Sequence, residues 1–137
     1  MTGPLNLKRH PKAQPVADVA ADARFWHGVE RFNHGEHWHA HEEWEPVWMG
    51  LEGDEKLALQ GLIMAAAMLV QHDKRVARGV ANHWANVQFR LAPHLPAKWG
   101  LDLADLWRQL EPLAADAAGG AWRMQAKDVQ LRRIRPR

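Results

Sequence analysis

The 137-residue chain has no cysteine, no tyrosine and no serine, and its one threonine is Thr2. Hydroxyl and thiol nucleophiles of the usual catalytic arrangements therefore have no residue to work with. Thiolate zinc sites, CxxC redox pairs and disulfides are excluded in the same way. Long apolar runs are missing too. The longest closes at His72 and Asp73, well short of the roughly 20 residues a membrane span needs. No apolar segment follows Lys8, Arg9 and Lys12, so no secretory signal is expected and a cytoplasmic location is the default. A formal net charge of +2 is too mild to indicate nucleic acid. What remains is the chemistry of His, Asp and Glu, with or without a metal-activated water.

A hydrophobic fraction of 47% is enough to build one core in a chain of this length. The most unusual stretch runs from Asn33 to Met49. It holds four of the nine histidines, three of the eight tryptophans and four of the eight glutamates. Wound as a helix, residues three and four apart share a face, which aligns Trp38, His41, Glu42, Glu45, Trp48 and Met49. A core-facing stripe should be apolar, yet here an imidazole and two carboxylates sit between tryptophans. Polar groups placed where burial is expected must be paired, shifted in pKa or bound to metal. His41, Glu42 and Glu45 are accordingly expected to be largely buried.

The rest of the chain reads as helices. Residues 1–17, with Pro4, Pro11 and Pro15 among basic residues, form an extended N-terminal arm. A single helical domain is expected over 18–120. Its first helix is capped by Asp18 or Asp22, carries Phe25, Trp26, Val29 and Phe32, and ends near Gly35. The second starts at Glu36 and should kink at Pro46. The third, about Glu55 to His72 behind an Asp54 cap, is apolar nearly all round, which places it at the centre of the fold. A fourth runs from about Val76, with Val80, His83, Trp84, Val87 and Leu91 on one face, to Pro93 and Pro96. A fifth begins at Asp102, is broken or restarted by Pro112 and stops at Gly119-Gly120. A basic C-terminal tail, 121–137, follows, partly ordered at most. No alternation is long enough for a strand, so the fold class is all-α, a compact array of about five helices around a central apolar helix.

His41-Glu42-x-x-Glu45 resembles the zincin pattern with its second His replaced by Glu. In that reading His41 and Glu45 are metal ligands and Glu42 is a second carboxylate ligand or the general base that activates water. A third ligand must come from elsewhere, with His72 the leading candidate and His37, one turn before His41, another. Zinc, manganese or iron would suit such a His/carboxylate set. The competing reading is a buried His–Glu network that only locks helix two to helix three. His39 is expected to face solvent. The eight tryptophans are expected in the core, although Trp99, in a Pro/Gly-flanked loop, could anchor a partner. The terminal arginines lack interleaved aromatics, which argues against nucleic acid. Partners are left as an unidentified small molecule or protein, with homo-oligomerisation open and no membrane.

Taken together, Phe32-Asn33-x-Gly35-Glu36, Trp38-x-x-His41-Glu42-x-x-Glu45-x-x-Trp48, Leu59-Gln60-Gly61-Leu62-Ile63 and the alanine-rich helix ending at His72 are similar to the domain-of-unknown-function 309 family, over roughly Phe25 to Leu95. The resemblance implies a small helical protein of a kind labelled predicted metal-dependent hydrolase, with roles for His41, Glu42, Glu45 and His72. Two departures stand out. The family carries Gln where this chain has Met64, removing a polar group that would line the site. A Gly-Asn turn expected after His72 is replaced by Asp73-Lys74-Arg75-Val76-Ala77. The alternative function is a non-enzymatic interaction or scaffold module.

Overall fold

The structure, a computed structural model, describes residues 7–135; Thr2, Pro4 and Arg137 lie outside them. Five helices follow one another: α1 (Ala23–Asn33), α2 (His37–Met49), α3 (Gly53–Asp73), α4 (Ala77–Leu91) and α5 (Leu103–Ala118). Between α4 and α5 a two-residue antiparallel pair, β1 (Ala97–Lys98) and β2 (Leu101–Asp102), turns at Trp99-Gly100. The all-α expectation holds. α3 is central, buried around much of its circumference and packed against both α2 and α4, as a helix without a polar face requires.

Local chemistry sets most boundaries. The Asp22 carboxylate accepts from Arg24 N and starts α1, while Asp18 caps a short 3-10 turn just before it. Asp102 accepts from Asp105 N at the start of α5. Asp54 is not the cap of α3: it lies in the first turn, behind Glu52 and a Gly53 with φ of 66°. Pro112 does not break α5, nor does Pro46 end α2. Both prolines are exposed. Each removes one backbone bond, while Leu110, Leu113 and Ala117, or Trp44 and Val47, continue the buried face beside it.

The inner face of α2 is His37, Ala40, Trp44 and Val47, one position away from the stripe expected around His41. Trp44 decides this. Its indole is fully buried, stacks 6.4 Å from the Phe25 ring and donates from Nε1 to the Phe25 carbonyl at 2.9 Å. The space it fills exists because residue 28 is glycine. Burying an entire indole with its one donor satisfied outweighs burying a face that would take His41, Glu42 and Glu45 inside with its tryptophans. Trp99 packs on its own domain, as expected of the tryptophans in general. It lies edge-on to Phe25 at 5.3 Å and donates to Glu55 Oε2 at 2.8 Å, contacts that hold it at a φ of 53°.

The chain after Gly120 is no solvated tail within the described residues. Ala126, Val129 and Leu131 are buried. Asn33 clasps the backbone of Leu131, accepting from its N–H at 2.6 Å and donating to its carbonyl at 3.0 Å. Gln109 does the same for Gln130, at 2.8 Å each way. An amide side chain offers both a donor and an acceptor, so it can replace a neighbouring strand for an extended segment that must satisfy its backbone. Of the terminal arginines, Arg132 pairs with Asp105 at 3.1 Å and Arg133 lies 3.9 Å from the Trp26 ring centre. At the other end, the arm bonds from His10 N to the Met49 carbonyl and from Val16 N to the Gly50 carbonyl.

Candidate functional site

The rotation of α2 splits the expected cluster. The Glu42 side chain is 56% exposed, 3.2 Å from His39 Nδ1, and Glu45 is 44% exposed. The expectation that His41, Glu42 and Glu45 are all buried is therefore corrected. With Trp44 turned inward, Glu42 faces solvent and Glu45 stands at the surface. His41 lies between these environments, its Nε2 3.7 Å from Glu45 Oε2. His37, at the first position of α2, is the deeply buried imidazole of this helix, edge-on to Phe32 at 5.2 Å.

His72 has a partner of its own. Its Nε2 lies 3.0 Å from Asp116 Oδ2, and both side chains are buried. Asp116 also accepts from the backbone N–H groups of Arg123 (2.8 Å) and Met124 (3.1 Å). The bond from Arg123 does most to hold this carboxyl below its usual range, with Met124 and His72 adding to it against the cost of burial. Trp122 packs edge-on against the imidazole at 5.2 Å. His72 thus pins the C-terminal segment to α3. Among the described residues no three or more His, Asp or Glu side chains are grouped to hold a metal ion. His37, His41, Glu45 and His72 as placed do not make a donor set.

What the structure does assemble is a cavity of about 270 Å³ between α2, α3 and α4. α2 contributes His37, Trp38 and His41; α4 contributes His83; α3 supplies an apolar wall broken by Gln71. Met64, where the resemblance expects Gln, is part of that wall. Three imidazoles here each keep one buried nitrogen with no hydrogen bond: His37 Nε2, His41 Nδ1 and His83 Nδ1. Buried polar atoms are normally satisfied, so three such nitrogens in residues that line one cavity are a local excess of unused bonding capacity. Burial depresses His37 to a pKa of about 4, against a smaller opposing pull from Asp73, and lowers His83 as well. Both rings are uncharged at neutral pH. Among the described residues the cavity wall carries no Lys, Arg, Asp or Glu.

Trp38, 59% exposed, covers one side of His41 with its ring tilted by 30° at 5.1 Å. His83 escapes a reading based on dense motifs, because it stands alone on α4. The available signal is its place inside the apolar face of Val80, Val87 and Leu91, where an unpaired imidazole is out of character.

The architecture is that of a small all-α domain with a histidine-walled cleft beside its central helix. Residues 25–83 match a family described as a domain of unknown function, DUF309, and over that stretch the chain is similar to it. The match contains every residue of the cavity wall and ends on His83; Asp116, the partner of His72, lies outside it. No curated protein and no solved structure matches the chain.

Proposed function

We propose that the cleft between α2, α3 and α4 binds a small uncharged molecule and that His41, oriented by Glu45, acts there as the general acid–base of a hydrolysis. The observation that carries this reading is the set of three imidazoles lining one uncharged cavity, each with an unpartnered ring nitrogen. With its proton on Nε2, facing Glu45, His41 has its lone pair on Nδ1. Base, orienting carboxylate and adjoining space for a reactant are the parts such chemistry needs, and catalytic contacts are often long before substrate binds. In the reaction Nδ1 takes a proton from water, the water oxygen bonds to the substrate carbonyl carbon, and the imidazolium returns the proton to the departing oxygen or nitrogen as its bond to carbon breaks. A neutral imidazole such as His37 or His83 can donate to the oxygen on which charge develops.

Hydrolysis of p-nitrophenyl acetate tests the reading, because exposed histidines supply an internal control. His41→Gln should remove most of the protein-dependent rate and Glu45→Gln should lower it by about tenfold or more. His39→Gln and His34→Gln, changes at exposed positions, should leave it unchanged. Equal small losses from all four would mean unspecific surface catalysis and would end the proposal.

A further inference from the structure

We propose that Gln71 positions and selects the ligand of this cavity, presenting a fixed donor–acceptor edge to a flat, uncharged molecule that carries an amide. The inference rests on reading the cleft as a ligand site and goes beyond it by naming the selecting residue and the ligand class. Of the α3 residues that line the cavity, Gln71 is the one able to hydrogen-bond through its side chain, for the others are Ile63, Met64, Ala67 and Val70. Its amide has no hydrogen-bond partner among the described residues.

Its position is nonetheless determined. The side chain lies over the first turn of α4, where a Cβ on Gly79 would overlap Oε1 and come within 2.7 Å of Cδ and 2.8 Å of Cγ. Glycine is a poor helix former, and α4 already starts without a side-chain cap. A glycine in that turn therefore runs against local helix stability while making room for Gln71.

The ligand class follows from the walls. A primary amide sets N–H and C=O side by side, and glutamine reads a complementary donor–acceptor edge in this bidentate way on a purine. The half-exposed indole of Trp38, next to His41, is a surface for a flat ring. With no charged side chain on the wall, a carboxylate or an ammonium would lose its water without gaining a counter-ion. An amide on a ring also has the carbonyl that the proposed hydrolysis would attack.

Three probes of nearly one shape separate these contributions: nicotinamide, methyl nicotinate, which keeps the acceptor and lacks the donor, and nicotinate, which is charged. Calorimetric titration of the full chain should show nicotinamide binding about tenfold or more tighter than methyl nicotinate, with no binding of nicotinate. Gln71→Leu should erase the preference for the amide. Gly79→Ala should erase it too while keeping or raising Tm, because the new methyl displaces a flexible, partly exposed side chain and no backbone, and Ala favours the helix. Equal binding of nicotinamide and methyl nicotinate, binding of neither up to the solubility limit, or a preference that survives Gln71→Leu would overturn the assignment. Those results alongside an ester hydrolysis still sensitive to His41→Gln would remove the role of Gln71 alone; loss of that sensitivity would remove the site reading itself.

Discussion

The indole of Trp44 occupies the volume that any side chain on Gly28 would need. A Cβ at residue 28 would overlap three atoms of the ring, and that ring is held in place by its bond to the Phe25 carbonyl. This one approach joins α1 to α2 and fixes which face of α2 looks inward. Gly28→Ala would gain helix propensity, yet overpacking at a rigid, fully buried ring typically costs about 1–3 kcal/mol. The net effect should be destabilising, read as a lower urea midpoint at unchanged m-value. A variant as stable as the wild type would mean that α2 is free to turn.

His37 makes stability depend on pH with a definite sign. Its ordinary pKa of 6.5 falls to about 4 in the folded protein, so between these values the unfolded chain binds the extra proton. The contribution is complete above pH 6.5, declines as the pH falls and is lost by about pH 4. Its size is about 3 kcal/mol. His37→Leu should flatten the stability profile across this window, measured by denaturant titrations at a series of pH values. An equally steep profile in that variant would show that His37 is not the group responsible.

The C-terminal segment should behave as part of the domain. Removing residues 121–137 uncovers the sites of Val129 and Leu131 and leaves Asn33 and Gln109 without their backbone partners. The apolar burial alone is worth about 3 kcal/mol or more. Thermal unfolding of the truncated chain should show a clearly lower Tm, and an unchanged Tm would return the segment to the solvated tail expected from its arginines.

Much of this was legible in the sequence. Asp18, Asp22 and Asp102 cap where their type and position indicate, and the even apolar coverage from Leu57 to Val70 puts α3 in the middle. The face of α2 was not legible, because two stripes compete on it. Trp38, His41, Glu45 and Trp48 are spaced as well for a helix as Ala40, Trp44 and Val47. What separates them is the cavity above Gly28, a feature of α1. The pairing of His72 was hidden for a similar reason: its partner, Asp116, lies 44 residues away, and no local pattern joins the two. The packing of residues 121–135 was hidden by composition, since Asn33, Gln109 and Gln130 fasten it through backbone bonds that carry no apolar signature.

Metal dependence has a simple readout. With no metal donor set among the described residues, zinc, manganese or iron(II) should leave Tm unchanged after purification without a His-tag. A ligand that binds only the folded state raises stability in proportion to the logarithm of its concentration. A zinc-dependent rise that disappears in His41→Ala would restore the metal-centred reading suggested by the His41-Glu42-x-x-Glu45 spacing.

The most direct test of the central claim is to locate the site by the nitrogen resonances of the histidine side chains. Long-range ¹H–¹⁵N spectra should show His37 uncharged at pH 6. Addition of nicotinamide should then shift the ring nitrogens of His37, His41 and His83 and leave those of His72 in place. Shifts confined to His72, or an unmoved His41, would contradict the account and put the functional site elsewhere in the molecule.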